Sequence, residues 1–370
     1  MLKVLQVIHG LHLGGAENVV ANIARRADRG RFSVEICCLK EKGILGEQLE
    51  AEGIPVHVPA VAGGRLGKLR ALRHLVRASR PDILHSHGTA ALLNIGPASL
   101  PGLPAPLLHT YHFGNYPHIR RSYLWGERIF SRRARRCIAV SESQRAAVLK
   151  YLHLRPERVD VVLNGVPDNP WRGDAAVRRA IRSEFGVSEE EILVGCVAVL
   201  SRQKGIQYLL HSAATLARQE PRLRFLIAGG GPLEEDLRRQ AAEVGLKDQI
   251  HFAGWRTDAL RLLAGLDVFV LPSLWEGLPM VLLEAMATGL PVVVTDVADN
   301  ARIIEDGISG RVVPPAQAAA ITAALLDLVA DRPRARAMGE AARRAWAEHY
   351  SDRAMVAGYE ALYEQEARRG

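Results

Sequence analysis

The sequence predicts an α/β protein made of two parallel-sheet domains. Three observations predict it. The chain has 370 residues, 48% of them apolar and 24% charged. That is too long for one ordinary core and suits two domains of roughly 150–200 residues each. In both halves short apolar segments alternate with amphipathic stretches, as when helices cover both faces of a parallel sheet. A run dense in turn residues, from Asn164-Gly165 to Arg172-Gly173, separates the two series and reads as a linker. The halves share one architecture, so the whole is expected to be two Rossmann-like domains facing each other, 1–166 and 167–351.

In the first half the expected strands are Val4–Ile8, Ser33–Leu39, Val56–Val58, Ile83–His85, Leu107–His109 and Cys137–Val140. Gly14-Gly15 opens a helix from about Ala16 to Arg26, a second helix lies near Lys68–Ala78, and Ser141 is a plausible N-cap for a third. In the second half Val194–Leu200, Arg224–Ala228, Ile250–Phe252, Val268–Leu271, Val292–Thr295 and Arg311–Val313 read as strands. Helices are expected at Ile206–Gln219, Leu233–Val244, Ala316–Ala330, Ala335–His349 and Asp352–Arg368.

Composition excludes a disordered chain, a collagen-like chain and a small disulfide-stapled scaffold. The apolar runs fall far short of the ~18–20 residues that span a bilayer, and Met1–Leu5 does not read as a signal peptide. Cys37, Cys38, Cys137 and Cys196 lack metal-ligand spacing and read as reduced core thiols of a cytoplasmic protein.

The net charge is +8, and the positive surplus lies in the first half. Such a surplus implies an anionic partner. One basic segment carries Arg65, Lys68, Arg70, Arg73, Arg77 and Arg80 among leucines at helical spacing. The other carries Arg120, Arg121, Arg128, Arg132, Arg133, Arg135 and Arg136 with Tyr123, Trp125 and Phe130. Each is either a solvated helix face or a surface for an anionic membrane leaflet. No nucleic-acid-binding motif accompanies them.

The chemistry concentrates between Val268 and Asp296, which reads strand, loop, helix, strand. Pro279 suits the first helical turn and Gly289 the residue past the last. The helix therefore starts at the carboxyl edge of a parallel strand, where doubly wound sheets bind ligands. Free backbone N–H groups over Gly277, Leu278, Pro279, Met280 and Val281, proline excepted, would favour a pyrophosphate there. Glu276 before the helix and Glu284 within it can each grip a vicinal diol, since a carboxylate only accepts hydrogen bonds. No Asp-x-Asp pair stands at a strand end to seat Mg²⁺.

Glu276 and Glu284 stand in a frame Ser273-x-x-Glu276-Gly277-x-Pro279 … Leu283-Glu284-Ala285-Met286-Ala287-x-Gly289-x-Pro291-Val292-Val293. This frame resembles the signature of retaining GT-B glycosyltransferases of the glycogen-synthase-like, family 4 type. Gly14-Gly15-Ala16-Glu17, His85-Ser86-His87, Thr110-Tyr111-His112, Asn164-Gly165-Val166, Lys204-Gly205, Gly229-x-Gly231-Pro232 and Asp306-Gly307-x-x-Gly310 follow in family order. The resemblance implies a two-domain GT-B fold whose last helix, 352–370, packs back on the first domain. It implies transfer from a nucleotide-sugar, a UDP-sugar above all, with retention and without metal or other cofactor. Glu284 would bind ribose hydroxyls and Glu276 the donor sugar. Lys204, with Arg202, would neutralise the diphosphate, Gly14, Gly15 and Gly231 would let backbone approach the nucleotide, and His112 would sit at the anomeric carbon. The implied acceptor is a lipid-linked or polysaccharide intermediate, with the enzyme peripheral on the inner membrane face. Two positions depart from the family's pattern: Val199 where it often has arginine, and Arg302 where it often has glutamate.

His85 and His87 could share one strand face as a metal pair, but no ligand set accompanies them in the sequence. Neither a Walker loop nor a dinucleotide fingerprint occurs. A UDP-sugar epimerase of this architecture and a catalytically weak donor-binding partner subunit are the competing readings.

Overall fold

The computed structural model describes residues 1–12, 14–60, 64–98, 105–112, 121–246 and 248–369, except for the side chains of Arg65 and Arg121. His118 and Arg120 lie outside the described residues. The chain divides into two units. One is Met1–Gly165 together with the residues from Asp352 onward, and the other is Val166–Ser351.

The first unit contains β1 (Leu2–Gly10), β2 (Phe32–Glu41), β3 (Val56–His57), β4 (Ile83–His87), β5 (Leu107–Tyr111), β6 (Arg136–Ala139) and β7 (Val159–Val161). They form one parallel sheet in the order β3-β2-β1-β4-β5-β6-β7. The second unit contains β8 (Ile192–Val197), β9 (Leu223–Ala228), β10 (Ile250–Gly254), β11 (Val268–Leu271), β12 (Val292–Thr295) and β13 (Arg311–Val313). Its parallel order is β10-β9-β8-β11-β12-β13. Both sheets therefore have the doubly wound α/β arrangement, and the order reverses between β1 and β4 and between β8 and β11.

Burial on both faces explains the apolar strands, which β11 and β12 show most plainly because every residue is buried. Cys37 and Cys38 follow from the same pleat. Neighbouring strand residues point to opposite faces, and each thiol enters a different apolar cluster. All four cysteines are free and buried.

The structure corrects the element boundaries and adds elements. β7 is short, with only its first residue fully buried, an edge strand without a long apolar run. Helices Gly43–Ala51, Gly88–Ala98, Ala175–Glu184 and Ala259–Ala264 were not expected from the sequence, and the second basic segment does carry a helix, Arg121–Ser131. Gly88–Ala98 contains Gly96 and Pro97 and is apolar almost all round, so periodicity does not mark it. The helix expected at Ala335–His349 starts at Arg332, capped by Asp331, and ends at Ala345 before a π turn. Ser141 does cap its helix, accepting from the Gln144 backbone N–H at 3.2 Å.

Helix Asp352–Ala367 seats in the first unit. Its Tyr359 and Tyr363 are fully buried, and Tyr363 Oη lies 2.7 Å from His85 Nδ1. Among the described residues no helix is long and apolar enough to cross a membrane.

Candidate active site

In the second unit the site forms where the strand order reverses. The chain leaves β8 through a 3-10 turn, Arg202–Lys204, and leaves β11 through the loop that carries Glu276. β8 and β11 are neighbours, so the two loops meet at the carboxyl edge. Gly205 makes the meeting possible. Its φ is +61°, and a Cβ would lie 2.1 Å from the Pro272 carbonyl oxygen. Only glycine fits both the conformation and the approach.

Lys204 Nζ donates to Glu276 Oε1 at 2.5 Å, and Ser273 Oγ donates to the same oxygen at 2.6 Å. Gln203 Nε2 reaches Glu276 Oε2 at 3.3 Å and the Trp275 carbonyl at 3.0 Å. Glu276 is 5% exposed, so its charge is compensated by an ion pair and two neutral donors. Gln203 and Ser273 are partners of Glu276 to which the sequence assigned no role. The signal for Ser273 was present, as the serine three residues before Glu276. Gln203 carried none beyond its adjacency to Lys204. Arg202 is exposed on the same turn.

The following helix is Met280–Thr288. Pro279 stands at its N-cap with extended backbone, one position before the expected first turn. Leu282 N–H returns to the Pro279 carbonyl at 3.1 Å. The Met280 and Val281 N–H groups, which have no partner inside a helix, face out of its start. Gly277 and Leu278 belong to the loop that leads there, and Leu278 is buried. Gly289 ends the helix in the left-handed region at φ +79°. Glu284 lies one turn inside. It is half-buried, and desolvation pushes its carboxyl up to about 7. A desolvated carboxyl poised near neutrality is a mark of functional sites.

Gly231 has a structural task of its own. A Cβ there would stand 2.6 Å from the Leu200 carbonyl oxygen, so it closes the loop after β9 onto the loop after β8. The two departures lie at the surface. Val199 is exposed, and Arg302 is mostly exposed with Asp299 at 3.6 Å.

In the first unit Gly14 and Gly15 begin the helix Gly15–Arg26 after β1, with Gly14 at the N-cap in extended backbone. His112 follows β5. Its Nε2 lies 3.1 Å from His87 Nδ1, and the two rings stack at 5.4 Å. His85 and His87 rings are 4.0 Å apart. Desolvation lowers the pKa of His112 to about 4 and that of His109 to about 3, and lowers those of His85 and His87 well below the ordinary value. All four are therefore neutral imidazoles at pH 7. Among the described residues no three His, Cys, Asp or Glu side chains converge as a metal-ligand set.

Residues 177–345 match the family model described as glycosyl transferases group 1, and residues 13–169 match that of glycosyltransferase family 4. The Escherichia coli UDP-Gal:alpha-D-GlcNAc-diphosphoundecaprenol alpha-1,3-galactosyltransferase is 26% identical over 314 residues, 80% of each chain. The alpha-maltose-1-phosphate synthase of Mycolicibacterium smegmatis is 33% identical over 247 residues, covering 61% of this chain and 62% of its own. The crystal structure of Anabaena Alr3699/HepE in complex with UDP and glucose has the same fold, with a TM-score of 0.88 and 22% identity over 99% of this chain and 100% of that one. The two family models together span most of the sequence, and the chain belongs to the GT-B glycosyltransferases of the family 4 type.

Proposed function

We propose that this glycosyltransferase moves a sugar, with retention and without a metal, from a UDP-sugar to a lipid-linked or nascent polysaccharide acceptor. It would work as a cytoplasmic enzyme held at the anionic inner face of the membrane, in cell-surface glycan synthesis. The observation that carries the donor half is the Lys204–Glu276 pair, clamped by Ser273 beside the start of the Glu284 helix. Anion-binding and hydroxyl-binding groups stand together at one sheet edge. Glu276 receives hydroxyls of the donor sugar. Lys204 turns its remaining N–H bonds to the diphosphate, with Arg202 and the Met280 and Val281 N–H groups completing the positive field. The charge that develops on the departing UDP is met there. Glu284 receives the ribose hydroxyls, Gly14 and Gly15 leave room for backbone at the phosphates, and neutral His112 faces the anomeric centre. The acceptor half is supported by the E. coli relative, whose name specifies UDP-Gal and a diphosphoundecaprenol-linked acceptor.

The test is calorimetry with UDP alongside turnover. Glu284→Gln is expected to weaken UDP binding. Glu276→Gln is expected to lower turnover on the order of a hundredfold with a smaller loss of UDP affinity. Equal losses in both variants contradict the division of roles. UDP release that requires acceptor marks transfer, whereas interconversion of UDP-sugars without acceptor marks an epimerase. Full activity in EDTA and an axial product linkage from an axial donor are the expected results for metal independence and retention.

A further inference from the structure

A second concave surface lies in the first unit, apart from the residues assigned above. It is a groove of about 850 Å³. Helices Gly64–Ser79 and Gly88–Ala98 form two sides, and Ser122 and Tyr123 contribute a third. Its wall is mostly apolar, with Leu66, Leu69, Leu72, Ala90, Leu93 and Pro97. Lys68 is the one cation among the described lining residues, and none of them is acidic. The carboxyl behind the wall, Glu127, accepts a hydrogen bond from Thr89 and is pushed up to about 7 by burial. The wall therefore carries little negative charge to satisfy Lys68.

The groove is built by close packing. A Cβ on Gly126 would lie 2.5 Å from Leu93 Cδ2, and one on Gly96 would lie 2.5 Å from Phe130 Cγ. The helix Arg121–Ser131 thus presses on Gly88–Ala98 and fixes one wall. One end is marked by His9, at the end of β1, and Thr89, just beyond β4. These strands flank the point where the order of the first sheet reverses. The groove thus opens at the carboxyl edge, where ligands of such sheets bind. From Thr89 to Pro97 the helix runs about 12 Å away from that edge. At the rim Leu66 is 69% exposed and Tyr123 46% exposed, and exposed apolar surface beside a groove marks a site that something covers.

We propose that this groove seats the apolar chain of a lipid-linked acceptor, with Lys68 facing its phosphate and the saccharide at the sheet edge. The inference rests on the acceptor reading given above. A bare saccharide would leave the leucine wall wet, and a plain hydrocarbon would cover Lys68 without a counter-charge. A phosphorylated isoprenoid satisfies both.

Calorimetry with farnesyl phosphate, at saturating UDP, tests this. Saturable binding is expected, with farnesol or inorganic phosphate alone at least tenfold weaker. Lys68→Glu and Ala90→Phe are each expected to reduce farnesyl phosphate affinity at least tenfold and to leave UDP affinity within twofold, which also reports that the variants fold. No binding by the native protein overturns the proposal, as does equal binding by both variants. A bilayer phospholipid has the same chemistry. Unchanged flotation of Ala90→Phe with phosphatidylglycerol vesicles supports an acceptor groove, and loss of flotation assigns the groove to bilayer lipid and overturns it. Undiminished transfer to a polyprenyl-diphosphate saccharide in both variants defeats the groove and leaves the acceptor reading standing. Intact farnesyl phosphate binding with no transfer to any lipid-linked saccharide defeats the acceptor reading itself.

Discussion

At the residue scale, the two glutamates of the site live in opposite environments. Glu276 is buried but answered by Lys204, Ser273 and Gln203. Glu284 has no ion pair among the described residues, and burial pushes it up to about 7 from an ordinary 4.5. The sign of its effect on stability follows. The folded state holds the Glu284 proton more tightly than the unfolded state, so its contribution is full below pH 4.5 and is lost as pH rises through 7. Glu284→Gln removes that loss. Its melting temperature relative to the native protein is expected to rise between pH 5 and pH 8, and a difference that stays flat over that range contradicts the assignment. Gly205 is the other single-residue dependence. Gly205→Ala is expected to cost on the order of 2 kcal/mol from the left-handed backbone alone, with further loss from the approach to Pro272. Chemical denaturation measures the first, and weakened UDP binding reports the displaced Lys204.

At the element scale, the arginine-rich segment after helix Arg121–Ser131 divides in two. Arg135 and Arg136 both bond the buried carboxylate of Glu366, at 2.9 and 3.0 Å, on the helix Asp352–Ala367. Arg26 pairs with Asp352 at the other end of that helix. These arginines clamp the last helix and are spoken for. Arg132 and Arg133 are exposed. Reversing all four would therefore mix two effects. Arg132→Glu with Arg133→Glu is expected to weaken flotation with anionic vesicles at low salt and leave the melting temperature nearly unchanged, as for surface charges. Arg135→Ala with Arg136→Ala is expected to lower stability on the order of 2 kcal/mol, because the buried Glu366 keeps only Arg369, at 3.0 Å, of its three arginines. Flotation that survives the first pair removes that segment from the membrane reading.

At the scale of the whole molecule, acid is the expected weakness. His85, His87, His109 and His112 are held neutral by burial. Each binds a proton near pH 6.5 when unfolded, so the stability they confer is present above that pH and is lost below it. Glu127 and Glu284 act in the opposite direction, as do Glu17 and Asp160, whose carboxyls burial also raises, while His251 adds to the histidine side; the four fully desolvated histidines outweigh them. The melting temperature is expected to fall between pH 7 and pH 5, and a rise over that interval would contradict it.

Much of this was legible locally. The parallel α/β class, the Glu276 and Glu284 frame and the Ser141 cap follow from periodicity, spacing and turn chemistry, which neighbouring residues dictate. Helix Gly88–Ala98 was not legible, because its Gly96 is kept by the close approach of Phe130 and its residues are apolar almost all round, so no polar face marks the helical period. Nor was the division of the arginines, since Glu366 lies some 230 residues from Arg135 and Arg136.

The sequence by itself therefore determined the layers of the protein and singled out the loop on which the proposed site is built. Only the tertiary structure decided what Glu276 is paired with and which cations are free. The physical reason is reach. A strand or a helix turn is set by residues a few positions apart, whereas Lys204 and Glu276, 72 residues apart, meet because β8 and β11 lie side by side and Gly205 lets their loops touch.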